Sequence, residues 1–184
     1  MITVALSATI SVPIDRVWHA VTDPSERIVW DERILGEVSL SSERTKTTKK
    51  TTKKTTKKTK KNATKNAEGM ASTQPADIVP RKTKWRFQLG GVPLVMQDVI
   101  SDAERNERLV SRISIGSMHF DQTLTLHRED DESGPRTRLG MKLVARNQIA
   151  VLGEVVQRLD VQKIVIEYVD TTLRQIQKYC ETDG

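Results

Sequence analysis

The chain offers few side chains able to do chemistry. It holds three His and one Cys in 184 residues, and His19, His119 and His127 have no Cys, His or Asp partner at metal-ligand spacing. HExxH, a GxSxG elbow and a phosphate-cradling glycine loop are all missing. No metal ion and no cofactor is therefore expected. Two polar residues remain as candidates for proton handling. Gln122 shares a strand face with Met118, Phe120 and Leu124, which makes it the best polar group to meet a cavity. Asp98 points inward if Leu94, Met96 and Ile100 do, and burial would then raise its pKa. The other parity, with Val95, Gln97 and Val99 inward, is also open. General acid–base chemistry needs such a group aligned with a substrate, so Asp98 and Gln122 are the catalytic candidates. His119 and His127 have the parity opposite to Phe120 and belong on the outer surface.

A second set of residues could bind rather than react. Trp85 and Phe87 lie on one strand face, free to look into a cavity or to fill a core. Met96, Met118 and Met141 would form either an adaptable lining or plain core filler. Ile113 and Phe120 from strands, with Leu159, Ile166 and Val169 from a terminal helix, complete the expected cavity wall. Trp18 and Trp30 are assigned to stapling short helices onto a sheet, since tryptophan covers a large area.

The elements that must position these residues are legible. Ile2, Val4, Leu6, Ala8, Ile10 and Val12 alternate with smaller or polar residues, a half-buried strand. Pro13 stops it and suits a helix start, with Asp15 in the first turn where the dipole favours negative charge. Ile14, Val17, Trp18 and Val21 form an apolar helical face. Asp23 can cap a second short helix that Pro24 opens. Strand pattern returns at Ile34 to Leu40, at Lys84 to Leu89, and at Val92 to Ser101 after the hairpin signal Gly90-Gly91. It continues at Arg108 to Ile115, Met118 to His127 and Thr137 to Arg146. Ile149 to Cys180 reads as one helix whose early turns Gly153 and Asp160 bend or delay. Seven antiparallel strands with helices at the chain's start and end make an α+β design.

The net charge of +6 is not spread over the fold. Residues 45–65 hold ten Lys and no acid, with TTKK three times in succession, and removing those ten charges leaves −4 elsewhere. A folded nucleic-acid-binding face is therefore not expected. From about 43 to 80 the composition cannot bury apolar surface and predicts a disordered insertion. It reads either as a lysine-rich arm making weak contacts with polyanions or as a repeat expanded in a permissive loop. No apolar run approaches the ~20 residues that cross a bilayer. Met1 leads directly into strand pattern without a basic start and an apolar run, so a cytoplasmic location is expected.

The opening ISVPIDRVWHAVTDPSERIVWDERI closely resembles that of the SRPBCC superfamily, which includes START-like lipid-transfer domains and polyketide cyclase/dehydrase-like proteins. Ile10, Val12, Pro13, Val17-Trp18, Thr22-Asp23-Pro24 and Trp30 carry the likeness, and RLVSRISIG, DQTLTLHRE and the terminal helix fit the same pattern. The Thr-Lys insertion is a departure from it. The resemblance implies a helix-grip fold, a curved seven-stranded antiparallel sheet wrapped around a long C-terminal helix, with two short helices between the first two strands. A single START-like domain spanning 1–184 follows, interrupted by the insertion.

The expected function is binding or transport of a hydrophobic or amphipathic small molecule, lipid- or polyketide-like, in an internal cavity. The alternatives are a cyclase/dehydratase-type enzyme using the same cavity, with Asp98 or Gln122 handling protons, and a protein- or ribosome-contact module. The sequence leaves the ligand, any reaction and the oligomeric state open.

Overall fold

The structure, a computed structural model, describes residues 1–38, 78–132, 134–145, 150–151, 154–155 and 158–182, with backbone only between 150 and 161. Strand β1 (Ile2–Ile10) leads into helices α1 (Ile14–Thr22) and α2 (Pro24–Trp30). Then come β2 (Ile34–Glu37), β3 (Arg81–Leu89), β4 (Val92–Glu104), β5 (Arg108–Ile115), β6 (Met118–Arg128) and β7 (Thr137–Ala145). A small hairpin of β8 (Ala150–Val151) and β9 (Glu154–Val155) precedes the 25-residue helix α3 (Arg158–Thr182).

Strands β1 to β7 form one antiparallel sheet in the order β1-β7-β6-β5-β4-β3-β2. The meander from β2 to β7 follows the chain, and β1 closes onto β7 with Ile2 opposite Ala145 and Ile10 opposite Thr137. Gly90 and Gly91 both take positive φ, +55° and +82°, which a two-residue hairpin of type I′ requires and a side chain would resist. A bulge between Ile100 and Asp102 breaks the β4–β5 register and bends the long fourth strand.

The two short helices start as their residues dictate. Asp23 accepts hydrogen bonds from the Ser25 amide at 2.8 Å and the Ser25 hydroxyl at 2.6 Å, and Pro24 fills the first helical position. At the end of β1, the buried Thr137 hydroxyl donates to the Val12 carbonyl at 2.8 Å and ties the turn to β7.

Three sequence expectations are corrected. The terminal helix begins at Arg158 rather than near Ile149, and Ala150–Val151 pairs with Glu154–Val155 instead. Val151, Val155 and Val156 are β-branched with Gly153 among them, a composition that favours a hairpin over helical turns. Strand β3 starts at Arg81, three residues earlier than the apolar pattern predicts, because its first residues pair with Ile100, Val99 and Asp98. On α3 the buried stripe is Val165, Tyr168, Val169, Thr172, Leu173, Ile176 and Cys180, and Ile166 lies off it, 42% exposed.

Helix α3 lies across the concave face. Its backbone comes closest to β1, β7 and α1. Its last turns are bonded there, with the Gln177 amide donating to the Thr9 carbonyl and the Ser11 amide donating to Glu181. The core runs between this helix and the inward side chains of every long strand.

Candidate functional site

A pocket of about 440 Å³ opens where the β3–β4 hairpin, the start of β6 and the first half of α3 meet. Leu89, Val92, Leu94, Met118 and Ile164 give it apolar walls, Tyr168 and Arg33 bound its inner side, and Glu167 and Gln88 stand at its rim. A small recess beside it continues inward past Met118, Phe120, Ile115, Leu143 and Val165. The glycine hairpin places Leu89, Val92 and Leu94 around the opening, so the local turn chemistry shapes the mouth.

Beyond Tyr168 the interior becomes charged and aromatic. Asp98 on β4 faces inward with Met96 and Ile100, which settles its parity. Its Oδ2 accepts a 2.6 Å hydrogen bond from Nη1 of Arg27 on α2, and both side chains are buried. The Arg27 guanidinium lies 4.7 Å from the Trp85 ring centre and 5.8 Å from that of Trp30. Trp30 is held in turn by its indole N–H donating to the Ala20 carbonyl at 2.8 Å.

A second arginine repeats the arrangement. Asp31, fully buried, accepts from Arg33 at 2.7 Å and 3.1 Å, a two-pronged pairing. Arg33 also donates to the Thr172 hydroxyl at 2.8 Å and sits over the rings of Tyr168 and Phe87, at 4.5 Å and 5.3 Å. Phe87 and Tyr168 are tilted against each other with ring centres 6.4 Å apart.

Electrostatics follow from these pairings. Burial opposes the charge on Arg27, and Asp98, with smaller help from Tyr168 and Asp31, outweighs it, so the guanidinium binds its proton more tightly than usual. Burial lowers Arg81 from its ordinary value against the pull of Asp98 and Asp23, while its guanidinium donates to the Thr22 carbonyl. Burial raises the Tyr168 phenol, which stays protonated at neutral pH.

Five buried polar atoms in this region have no hydrogen-bond partner: Nε of Arg27, Nε of Arg81, Nε1 of Trp85, Oδ1 of Asp98 and the Tyr168 hydroxyl. Gln122 is buried on β6 and makes a long 3.4 Å hydrogen bond to the Ser111 hydroxyl on β5.

Of the residues expected to line a cavity, Trp85, Phe87, Met96, Ile113, Met118, Phe120, Gln122, Met141 and Val169 are buried and inward. Met118 reaches the pocket and Phe120 its recess. Ile166 faces solvent, because one residue earlier on the helix, Val165, takes the inward direction. The Leu159 side chain and residues 43–77 of the expected insertion lie outside the described residues, whereas Ile78 near its end is buried in the core, a correction to the disorder expected as far as residue 80. His19, His119 and His127 are exposed. Among the described residues, no group of three or more His, Cys, Asp or Glu could hold a metal ion. No helix among them is long and apolar enough to cross a membrane.

Sequence reasoning missed Arg27, Asp31, Arg33 and Tyr168. A signal was present: Arg27, Trp30 and Asp31 are three and four residues apart, one helical face carrying charge beside an aromatic ring. Ile28 and Val29 directly before Trp30 give the segment an apolar look in sequence that hides that face. In the structure Val29 is 66% exposed and Arg27 is buried.

No protein-family model and no curated protein matches the chain. Solved structures do. A START superfamily protein from Mycobacterium smegmatis superposes with a TM-score of 0.64 at 13% identity, covering 99% of both chains. A protein from Thermus thermophilus gives 0.64 at 15% identity, covering 100% of this chain and 99% of the other. An aromatase/cyclase from a Streptomyces species gives 0.64 at 13% identity, covering 98% and 93%. At such identities the likeness is one of fold, and the fold is the START-like helix grip that the opening motif implies.

Proposed function

We propose that the protein binds a hydrophobic or amphipathic small molecule in the pocket between the β3–β4 hairpin and α3. The observation that carries this reading is the pocket itself. Its volume of about 440 Å³ lies within the range of small-molecule sites, roughly 300–1,000 Å³, and its wall is mostly apolar with few polar groups. Affinity would come from apolar burial, at roughly 25 cal/mol per Å². The fold is shared with a START superfamily protein and an aromatase/cyclase, which supports an internal ligand of lipid- or polyketide-like character.

Native mass spectrometry of protein purified from its own source tests this. The expected result is a co-purified mass that is lost in the pocket-filling variant Leu94→Trp. An empty protein that also fails to bind an apolar fluorescent probe would remove the proposal.

A cyclase- or dehydratase-type activity is the second reading, favoured by one feature: Asp98 points inward with one carboxylate oxygen unpartnered. Its other oxygen is held by Arg27, so the group acts more readily as a fixed acceptor than as a proton carrier. Recovery of a chemically altered ligand, dependent on Asp98, would move the assignment to catalysis. For the lysine-rich segment the proposal is a weak polyanion contact. Deleting residues 45–65 is expected to reduce retention on RNA or anionic vesicles at low salt, and unchanged retention would remove that role.

A further inference from the structure

The two edges of the large sheet are built differently. Strand β2 closes one of them with four residues, a bulge between Ile34 and Gly36, and the charge of Glu37. Shortness, bulges and charge keep an edge from pairing with another chain. Strand β1 closes the other edge and has none of these. Its nine residues pair with β7 from Ile2 to Ile10 without a register shift. The first proline of the sequence is Pro13 and the first charged side chain is Asp15, both beyond the strand.

The ladder fixes which backbone groups of β1 face outward. The Arg136 carbonyl accepts from the Glu129 amide at 2.9 Å, so even-numbered residues of β7 turn toward β6 and odd-numbered ones toward β1. Leu139, Met141 and Leu143 lie opposite Ala8, Leu6 and Val4, which places the even residues of β1 in the β7 ladder. The N–H and C=O of Thr3, Ala5, Ser7, Thr9 and Ser11 therefore point away from the sheet. Helix α3 caps the far end of this row, through Gln177 on the Thr9 carbonyl and Glu181 on the Ser11 amide. Among the described residues, no hydrogen bond reaches the outward backbone groups of Thr3, Ala5 and Ser7. Leu6 shares the inward parity of Val4 and Ile10, yet beside this gap it is 38% exposed. The β8–β9 hairpin forms a sheet of its own and does not extend the edge.

We propose that β1 of a second copy of this chain takes this edge, antiparallel about a two-fold axis at Ala5, and joins two sheets into one. That register uses only the three residues whose outward groups are free. Ala5 meets Ala5 of the second copy, and Thr3 meets its Ser7. On the concave face Val4 meets Leu6 of the second copy, which covers the exposed leucine. On the outer face only methyls and hydroxyls meet, so copying the strand opposes no like charges. The nearest cation, Lys142 opposite Ala5 on β7, ends up three strand spacings from its copy. That is about 14 Å, beyond the ~8 Å screening length at physiological salt. An uncharged strand offers no mark for choosing a different chain, whereas its own copy matches it at each position. A pairing this short buries less than a standard interface, so the dimer is reversible and depends on concentration.

Sedimentation velocity of the full chain between about 1 and 300 µM should show the mass moving from monomer to dimer and no further. Hydrogen exchange at the amides of Thr3, Ala5 and Ser7 should slow over the same range. Thr3→Lys with Ser7→Lys sets like charges opposite each other and should weaken association at least about tenfold. Thr3→Glu with Ser7→Lys adds as many charged residues but sets opposite charges together, and should keep or tighten association. A mass that stays monomeric throughout overturns the proposal. So does a dimer that the double-lysine variant leaves intact, or one that both variants weaken equally, because the contact then lies elsewhere. Growth beyond a dimer overturns the two-fold closure. If the double-lysine variant does not fold, the matched-charge variant and the exchange of the edge amides still decide the matter. None of these outcomes bears on the pocket, which is tested separately.

Discussion

The two ends of this interior are built on different chemistry. Under β1, β6 and β7 it is aliphatic, with Ile10, Leu124, Leu126, Leu139 and Met141 packed together. Beside α2, β3 and β4 it holds two arginine–aspartate pairs stacked on Trp30, Trp85, Phe87 and Tyr168. The first end needs only apolar volume of roughly the right shape. The second desolvates four charges, a cost that paired geometry repays incompletely. Aliphatic packing therefore holds the fold, while the charged end fixes where α2 lies.

The largest expected effect tests that contrast directly. Asp98→Ala leaves Arg27 buried and unpaired and should lower stability by about 3–5 kcal/mol in urea unfolding. Replacing both partners, Arg27→Met with Asp98→Leu, should recover most of that loss, because the desolvation cost disappears with the pair. A double variant as unstable as the single one would make the charged end a stability element and break the comparison.

Next in size is the aliphatic end. Leu139 is fully buried, and Leu139→Ala should cost about 3 kcal/mol from lost transfer energy and an unfilled cavity. Binding of an apolar fluorescent probe in the pocket should be unchanged in this variant. Weakened probe binding would show that the two ends do not act separately.

The smallest effect lies at the seam between α1 and α2. The Ser25 hydroxyl first, then the backbone amides of Ser25 and Glu26, hold the Asp23 carboxylate below its ordinary pKa against the opposing effect of burial. A depressed folded-state pKa contributes stability that is present above the unfolded value, about 3.9, and lost as pH falls through the folded one. Asp23→Ala should therefore cost about 1 kcal/mol at pH 7. The gap from wild type should narrow in unfolding curves taken below about pH 4. A gap that stays constant into acid would assign the cost to backbone propensity instead of the carboxylate.

Much of the scaffold was legible because each piece answers to a local rule. Alternation marks β1, Gly90-Gly91 marks the hairpin that frames the pocket, and Asp23-Pro24 marks the start of α2. The site was less legible. Asp98 was a candidate whose parity stayed open, since both faces of β4 carry apolar residues: Leu94, Met96 and Ile100 on one, Val95 and Val99 on the other. Ile166 reads as inward from its seven-residue step after Leu159 in a helix expected to start at Ile149, a stretch in which the chain instead pairs as β8 and β9.

Sequence by itself determined the order of elements as far as β7, the antiparallel sheet and the helix that spans it, because short-range pattern and turn chemistry suffice for these. Only the tertiary structure decided that Arg27 turns inward while Val29 turns out. The partner that makes this possible, Asp98, lies 71 residues away along the chain. Burying a charge becomes tolerable only once the opposite charge has been brought to it, and no local pattern records that meeting.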